Sequence, residues 1–221
     1  MIVDERIITF INSLDTKNSE ILEDIEREAL ADNVPIIRRE MQSFLKVLLM
    51  VKKPMRVLEV GTAVGFSVLL MSEYVPEECA ITTIENYEKR IPIARQNFVR
   101  AGKEKKITLL EGDAMDVLKT LEGPYDFIFM DAAKGQYIHY LPEILRLLAK
   151  GGILVSDNVM QDGDVIESRF AVERRDRTIH ARMREYLYEL KHNDALVTSI
   201  IPLGDGVALS VKKEVGTDIA Q

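Results

Sequence analysis

The chain has 221 residues, 47% of them hydrophobic and 29% charged, enough for one α/β domain with a sizeable core. Its formal net charge of -7 argues against a general nucleic-acid coat, while leaving room for a local basic patch on an acidic body. No apolar run approaches the ~20 residues of a membrane span, and residues 1–6 lack the apolar core of a leader peptide. The lone Cys79 excludes an intrachain disulfide and a cysteine-based zinc site and points to a reducing, cytoplasmic setting.

Residues 4–14 carry Ile7, Ile8, Phe10, Ile11 and Leu14 at helical spacing. Asn18 or Ser19 caps a second helix that runs to about Asp32, and Pro35 breaks it. Residues 39–50 form a third helix with Phe44, Leu45, Leu48 and Leu49 on its apolar face. Three helices ahead of the first strand make a lid or packing layer, of a kind that often supplies an oligomer contact. Strands and helices then alternate: strand 55–60, helix 65–74, strand 80–85, and a helix opening near Asn86 with Pro92 close to its start. Next come strand 107–110 with Gly112-Asp113-Ala114 behind it, strand 125–130 ending in Asp131, helix 137–149, and strand 152–156 ending in Asp157-Asn158. After a long helical stretch, residues 197–201 and 207–211 pair as a terminal hairpin around Leu203-Gly204-Asp205-Gly206. This order predicts a doubly wound, mostly parallel seven-stranded α/β sheet with helices on both faces, N-terminal helices and an antiparallel C-terminal hairpin.

The chain is organised around residues 56–67. Val57, Leu58 and Val60 read as a buried strand, Gly61 and Gly65 allow a tight turn, and helical spacing resumes at Ser67. Strand, glycine turn and helix build a nucleotide site at the carboxyl end of a first strand; a plain strand-to-helix turn is the bland alternative. The dinucleotide pattern G-x-G-x-x-G is absent, because Ala63 holds the middle glycine position. Glu59, two residues before the turn, would repel a phosphate but suits a ligand with positive charge, such as S-adenosylmethionine. Glu85 ends the next strand, roughly 20 residues on, where an acid holds ribose hydroxyls.

Asp131, Asp157 and Asn158 all follow apolar strands and so share the ligand edge of the sheet. One such Asp is usually a helix cap or a loop residue; two neighbouring strand ends make an oxygen set suited to Mg²⁺. His139, His180 and His192 fall in predicted helices, which makes zinc a poor fit. Lys134 reads as a solvated lysine at a helix start, or, beside a cation, as a group that accepts or shares a proton.

These motifs together resemble the cation-dependent O-methyltransferases, the family of the catechol and caffeoyl-CoA enzymes. The likeness rests on residues 59–67, Glu85, residues 112–114, the string Asp131-Ala132-Ala133-Lys134-Gly135-Gln136-Tyr137, and Asp157-Asn158-Val159, and it covers about residues 35–213. Within the family, that string and an arginine-rich segment after Asn158 are most similar to bacterial tRNA 5-hydroxyuridine methyltransferases. The resemblance implies a single Rossmann-like methyltransferase domain over residues 1–221, with residues 1–53 as a helical layer packed on it, and a homodimer. It implies that Met41, Glu59, Gly61, Thr62, Ser67, Glu85, Asp113, Ala114 and Asp131 bind S-adenosylmethionine. It also implies that Asp131, Asp157 and Asn158 hold Mg²⁺, and that Lys134, with Asp131, serves catalysis.

The implied reaction is methyl transfer to one of two adjacent acceptor oxygens. A tRNA wobble 5-hydroxyuridine offers such a pair through its 5-OH and O4, and a small catechol-like phenol offers another. Arg169, Arg174, Arg175, Arg177, Arg182 and Arg184 suit phosphate contacts. Glu167, Glu173, Asp176 and Glu185 lie among them, so a solvated, salt-bridged helix is the alternative. The resemblance, more than the charge, favours tRNA. A cofactor-binding protein without catalysis is a third reading, opposed by the intact set Asp131, Lys134, Asp157 and Asn158.

Overall fold

A computed structural model describes residues 3–214. Met1, Ile2 and residues 215–221 lie outside it, and with them the ends of the leader-peptide and single-domain expectations. The helices are α1 (Glu5–Ser13), α2 (Glu20–Ala31), α3 (Arg39–Lys52), α4 (Phe66–Glu73), α5 (Ile91–Arg100), α6 (Ala114–Thr120), α7 (Tyr137–Leu147) and α8 (Arg177–His192). The strands are β1 (Arg56–Val60), β2 (Ala80–Glu85), β3 (Ile107–Glu111), β4 (Tyr125–Met130), β5 (Leu148–Ser156), β6 (Leu196–Ile201) and β7 (Val207–Lys212). Asp4 caps α1 by accepting from Arg6 N at 2.8 Å, and Pro92 occupies the first turn of α5, where its missing N–H costs least.

The sheet runs β3-β2-β1-β4-β5-β7-β6. The first five strands are parallel; β7 is antiparallel to both β5 and β6. The chain order therefore reverses between β1 and β4, which opens a crevice above their carboxyl ends. Each face of the sheet has its own apolar cluster. Val57, Ile81, Phe127, Phe129 and Val155 meet α2 to α5. Leu58, Val60, Ile128, Met130 and Leu154 meet α6 to α8 on the other face. The period of two along β1 puts Glu59 on the Val57 side, beneath α4.

Three expectations need correction. β5 starts at Leu148, so residues 148 and 149 are strand rather than the end of α7. α5 begins at Ile91, later than Asn86, and α6 was not foreseen because its seven residues are too short to show a period. Among the described residues, no helix is long and apolar enough to cross a membrane.

Candidate active site

After Val60 the chain turns at Gly61, with φ of +104°. A Cβ there would lie 2.1 Å from the Asp131 carbonyl oxygen, so only glycine lets the turn sit on the end of β4. Ala63 is left-handed too, at φ 47°. Its N–H donates to Glu85 Oε2 at 2.7 Å, a charge-assisted bond that offsets the backbone strain. Asn86 N and Tyr87 N each donate to Glu85 Oε1 at 2.9 Å. Of about four lone pairs on a carboxylate, three are thus engaged. From sequence, Glu85 is expected to take two ribose hydroxyls; the count leaves one free position.

A cleft of about 580 Å³ lies over this edge. Met41, Gly61, Thr62, Ser67, Glu85 and Ala114 line one part of it; Asp131, Lys134, Asp157 and Asn158 line another. Two expected cofactor residues are not on its wall. Glu59 is fully buried beneath the turn, where Oε1 accepts from Ser67 Oγ and Oε2 from Thr83 Oγ1. Burial pushes its carboxyl up to about 8, against the pull of those two hydroxyls. Glu59 therefore shapes the turn from behind. Asp113 is exposed and caps α6 by accepting from Met115 N at 2.9 Å; its neighbours Gly112 and Ala114 reach the wall.

Asp131 and Asp157 follow the register pair Met130 and Ser156 on adjacent parallel strands. Asp131 N donates to Val60 O at 3.0 Å, and Asp157 N to Met130 O at 2.9 Å. The Tyr137 hydroxyl lies 3.1 Å from Met130 O and 3.2 Å from Asp157 O, so the start of α7 ties the two strand ends together. Asn158, left-handed at φ 58°, turns its amide back so that Nδ2 donates to Asp131 Oδ1 at 3.1 Å. Burial raises the carboxyls of both acids, and the Asp131 charge adds to the rise at Asp157. A buried Asp157 and a half-buried Asp131 on adjacent strand ends fit a divalent cation, which would keep both ionised. With the Asn158 amide oxygen they make an all-oxygen set suited to Mg²⁺. Among the described residues no group of three or more His, Cys, Asp or Glu could hold a metal, so this set of two acids and an amide stands as the candidate. His139, His180 and His192 lie on α7 and α8, as expected.

Lys134 opens a 3-10 turn (Lys134–Gln136) after β4, and its Nζ donates to Asp205 Oδ2 at 2.9 Å. Asp205, like Arg38, Arg90, Tyr140 and Asp162, lines the cleft without having been anticipated. Its Gly-Asp-Gly setting reads as a hairpin turn, and nothing local reveals a partner 71 residues away.

The arginine segment is largely bound into the fold. Arg177 donates to Val172 O at 3.2 Å, Arg182 to Gly135 O at 3.1 Å and Arg184 to Val165 O at 2.8 Å. Arg175 pairs with Glu173 and Asp176. Arg169 and Arg174 are exposed, with Phe170 between them 86% exposed.

Residues 12–213 match a family model described as O-methyltransferase. A catechol O-methyltransferase of Niastella koreensis is 35% identical over 128 residues, 56% of this chain and 58% of that protein. Caffeoyl-CoA O-methyltransferase 2 of Populus trichocarpa is 33% identical over 183 residues, 75% of this chain and 70% of that protein. The chain thus spans little more than half the length of the first relative. An SAH-bound methyltransferase of Podospora anserina superposes with a TM-score of 0.86 at 26% identity, covering 95% of each chain.

Proposed function

The chain belongs to the O-methyltransferase family, and on that premise we propose that it transfers a methyl group from S-adenosylmethionine to one of two adjacent oxygens of an aromatic acceptor, with Mg²⁺. The observation that carries the proposal is the pairing of Asp131 with Asp157 and Asn158 in the same cleft as the Gly61 turn and Glu85. When bound, S-adenosylmethionine supplies an electrophilic methyl on a sulfonium, and Mg²⁺ supplies a Lewis acid that favours an acceptor oxyanion. Glu85 offers its remaining lone pair to a ribose hydroxyl. Gly61 and Thr62 bring main chain close, Ser67 and Ala114 complete the wall, and Met41 covers it from α3. Asp131, Asp157 and Asn158 hold the cation. The acceptor's proton would pass to water and the sulfonium would leave as the neutral thioether S-adenosylhomocysteine, and the Lys134 ammonium beside the acceptor oxygen would ease the proton's loss.

A small catechol-like phenol is the acceptor we favour. The names of the catechol and caffeoyl-CoA relatives support it, and so does the engagement of Arg177, Arg182 and Arg184 in main-chain contacts. One observation favours a second acceptor, tRNA 5-hydroxyuridine. Phe170 stands exposed between Arg169 and Arg174, a pattern suited to a stacked base flanked by phosphates. A homodimer is part of the proposal, through the apolar residues that α1 and α3 leave exposed, among them Phe10, Leu14, Val47 and Val51. Cys79, buried and unpaired, suits the cytoplasm.

The deciding assay measures labelled methyl transfer to a simple catechol and to bulk tRNA, each with and without Mg²⁺. Transfer to the catechol alone supports the favoured acceptor, and transfer to tRNA alone replaces it. Full transfer in EDTA with no added cation would remove the metal from the proposal.

A further inference from the structure

Asp205 has no part in the reaction as described, yet its buried side chain joins three segments of the cleft. Oδ2 accepts from Lys134 Nζ at 2.9 Å, and Oδ1 accepts from Asp162 N. Its own carbonyl accepts from Met160 N at 2.9 Å, and the Gly206 carbonyl accepts from Val159 N at 2.9 Å. Gly206, at φ +81°, must be glycine: a Cβ would lie 2.2 Å from Met160 Cγ. The β6–β7 turn therefore grips the loop that directly follows Asn158.

The charges complete the picture. Lys134 shares the cleft wall with Asp131, Asp157 and Asp205; its charge favours the ionised forms of Asp131 and Asp157, and the Asp205 carboxylate opposes it at Asp157. A lysine free to swing would thus compete with a cation for the same two carboxylates. Lys134 instead meets a third carboxylate, only 3% exposed, on an element that holds neither ligand. The pair Lys134–Asp205 sums to zero charge, and the pair Asp131–Asp157 keeps a charge of about two for a divalent ion.

We infer that Asp205 is a positioning residue, which holds Lys134 on the acceptor side and keeps its ammonium off the Asp131–Asp157 pair, so that a divalent cation can occupy it. The inference rests on the cation reading given above. It predicts a pattern that a merely structural role would not produce: removing the Asp205 charge weakens cation binding, and removing Lys134 as well restores it.

The probe is Mn²⁺ added to the full chain, with uptake read from the loss of the free-ion electron paramagnetic resonance signal, which needs no turnover. Wild type takes up Mn²⁺, and Asp157→Ala does not. Asp205→Asn binds about tenfold more weakly, whereas the same change made on Lys134→Met costs no more than about threefold, and equal costs in the two backgrounds would mean that Asp205 acts only through its own charge and overturn the inference. Lys134→Met alone, which does not depend on the folding of an Asp205 variant, binds at least about threefold more tightly, because Asp205 then adds an unpaired charge. An Asp205→Asn affinity equal to wild type, or a loss that Lys134→Met fails to rescue, overturns the inference and leaves the cation reading standing. Unchanged or weaker binding by Lys134→Met also overturns it. No uptake by wild type removes the cation reading, and the inference with it.

Discussion

Asp131 and Asp157 follow neighbouring parallel strands one residue past a register pair, and the Asp131 charge raises the cost of ionising Asp157. Among the described residues, neither forms a salt bridge with a lysine or arginine. Their proximity is therefore expensive unless a cation joins them.

Asp157→Ala should abolish turnover, by well over about 100-fold, the loss that even outer partners of a metal site can cause. Cofactor affinity should hold within a few-fold, because the Gly61 turn and Glu85 belong to β1 and β2. Calorimetry with S-adenosylmethionine and a turnover assay together check this. Retained turnover would remove Asp157 from the metal site.

Glu85→Ala removes a charged acceptor from the cleft and releases the amides of Ala63, Asn86 and Tyr87. A hydrogen bond to a charged group contributes about 1.5–3 kcal/mol, so cofactor affinity should fall roughly 10- to 100-fold. Because Ala63 loses the bond that offsets its left-handed strain, the melting temperature should fall too. Unchanged calorimetric affinity would exclude Glu85 as the ribose acid.

Glu59 gives a pH dependence. Its carboxyl titrates near 8 in the fold, against 4.5 unperturbed. Between these values the unfolded chain has lost the proton that the folded chain keeps, so this group makes stability fall as pH rises from 4.5 to 8 and level off above. The magnitude is on the order of a few kcal/mol. Glu59→Gln, neutral and nearly isosteric, should flatten that part of the profile and gain relative to wild type at high pH. Denaturant melts at several pH values test it, and parallel profiles for the two proteins would refute it.

Gly61→Ala should destabilise the fold by at least about 2 kcal/mol, since it places a methyl group against the Asp131 carbonyl at a positive φ. Because that contact joins the turn to the first acid, cofactor affinity and cation affinity should fall together. A loss confined to one of them would show that the two halves of the cleft are mechanically independent.

Much of this was legible because the fold writes its chemistry at strand ends. An apolar run that stops at Asp131, or at Asp157-Asn158, marks both the strand and the residue it presents, and register does the rest. The position of Glu59 behind the cleft wall is illegible for the opposite reason. A parallel strand buried on both faces shows no alternation, so the sequence does not reveal that Glu59 points under α4. Asp113 was drawn off the wall by a free N–H at the start of α6, a helix too short to announce itself. The arginines looked like a charged surface until the carbonyls of Gly135, Val165 and Val172 were found beneath three of them. Asp205 was hidden because its partner is set by topology and no local spacing encodes it.

The strand order has a consequence for synthesis of the chain. Of the described strands, β7 is made last, yet its place is inside the sheet, between β5 and β6. A nascent chain that has just released β5 already carries Asp131, Lys134, Asp157 and Asn158, but its sheet ends in an unpaired apolar edge. Until the hairpin inserts, that edge is open to strands of other chains, and the Lys134 ammonium has no Asp205 to meet. The interval between residues 156 and 212 is thus when the newborn protein is most exposed to mispairing, and the closing of the hairpin both seals the sheet and completes the cleft.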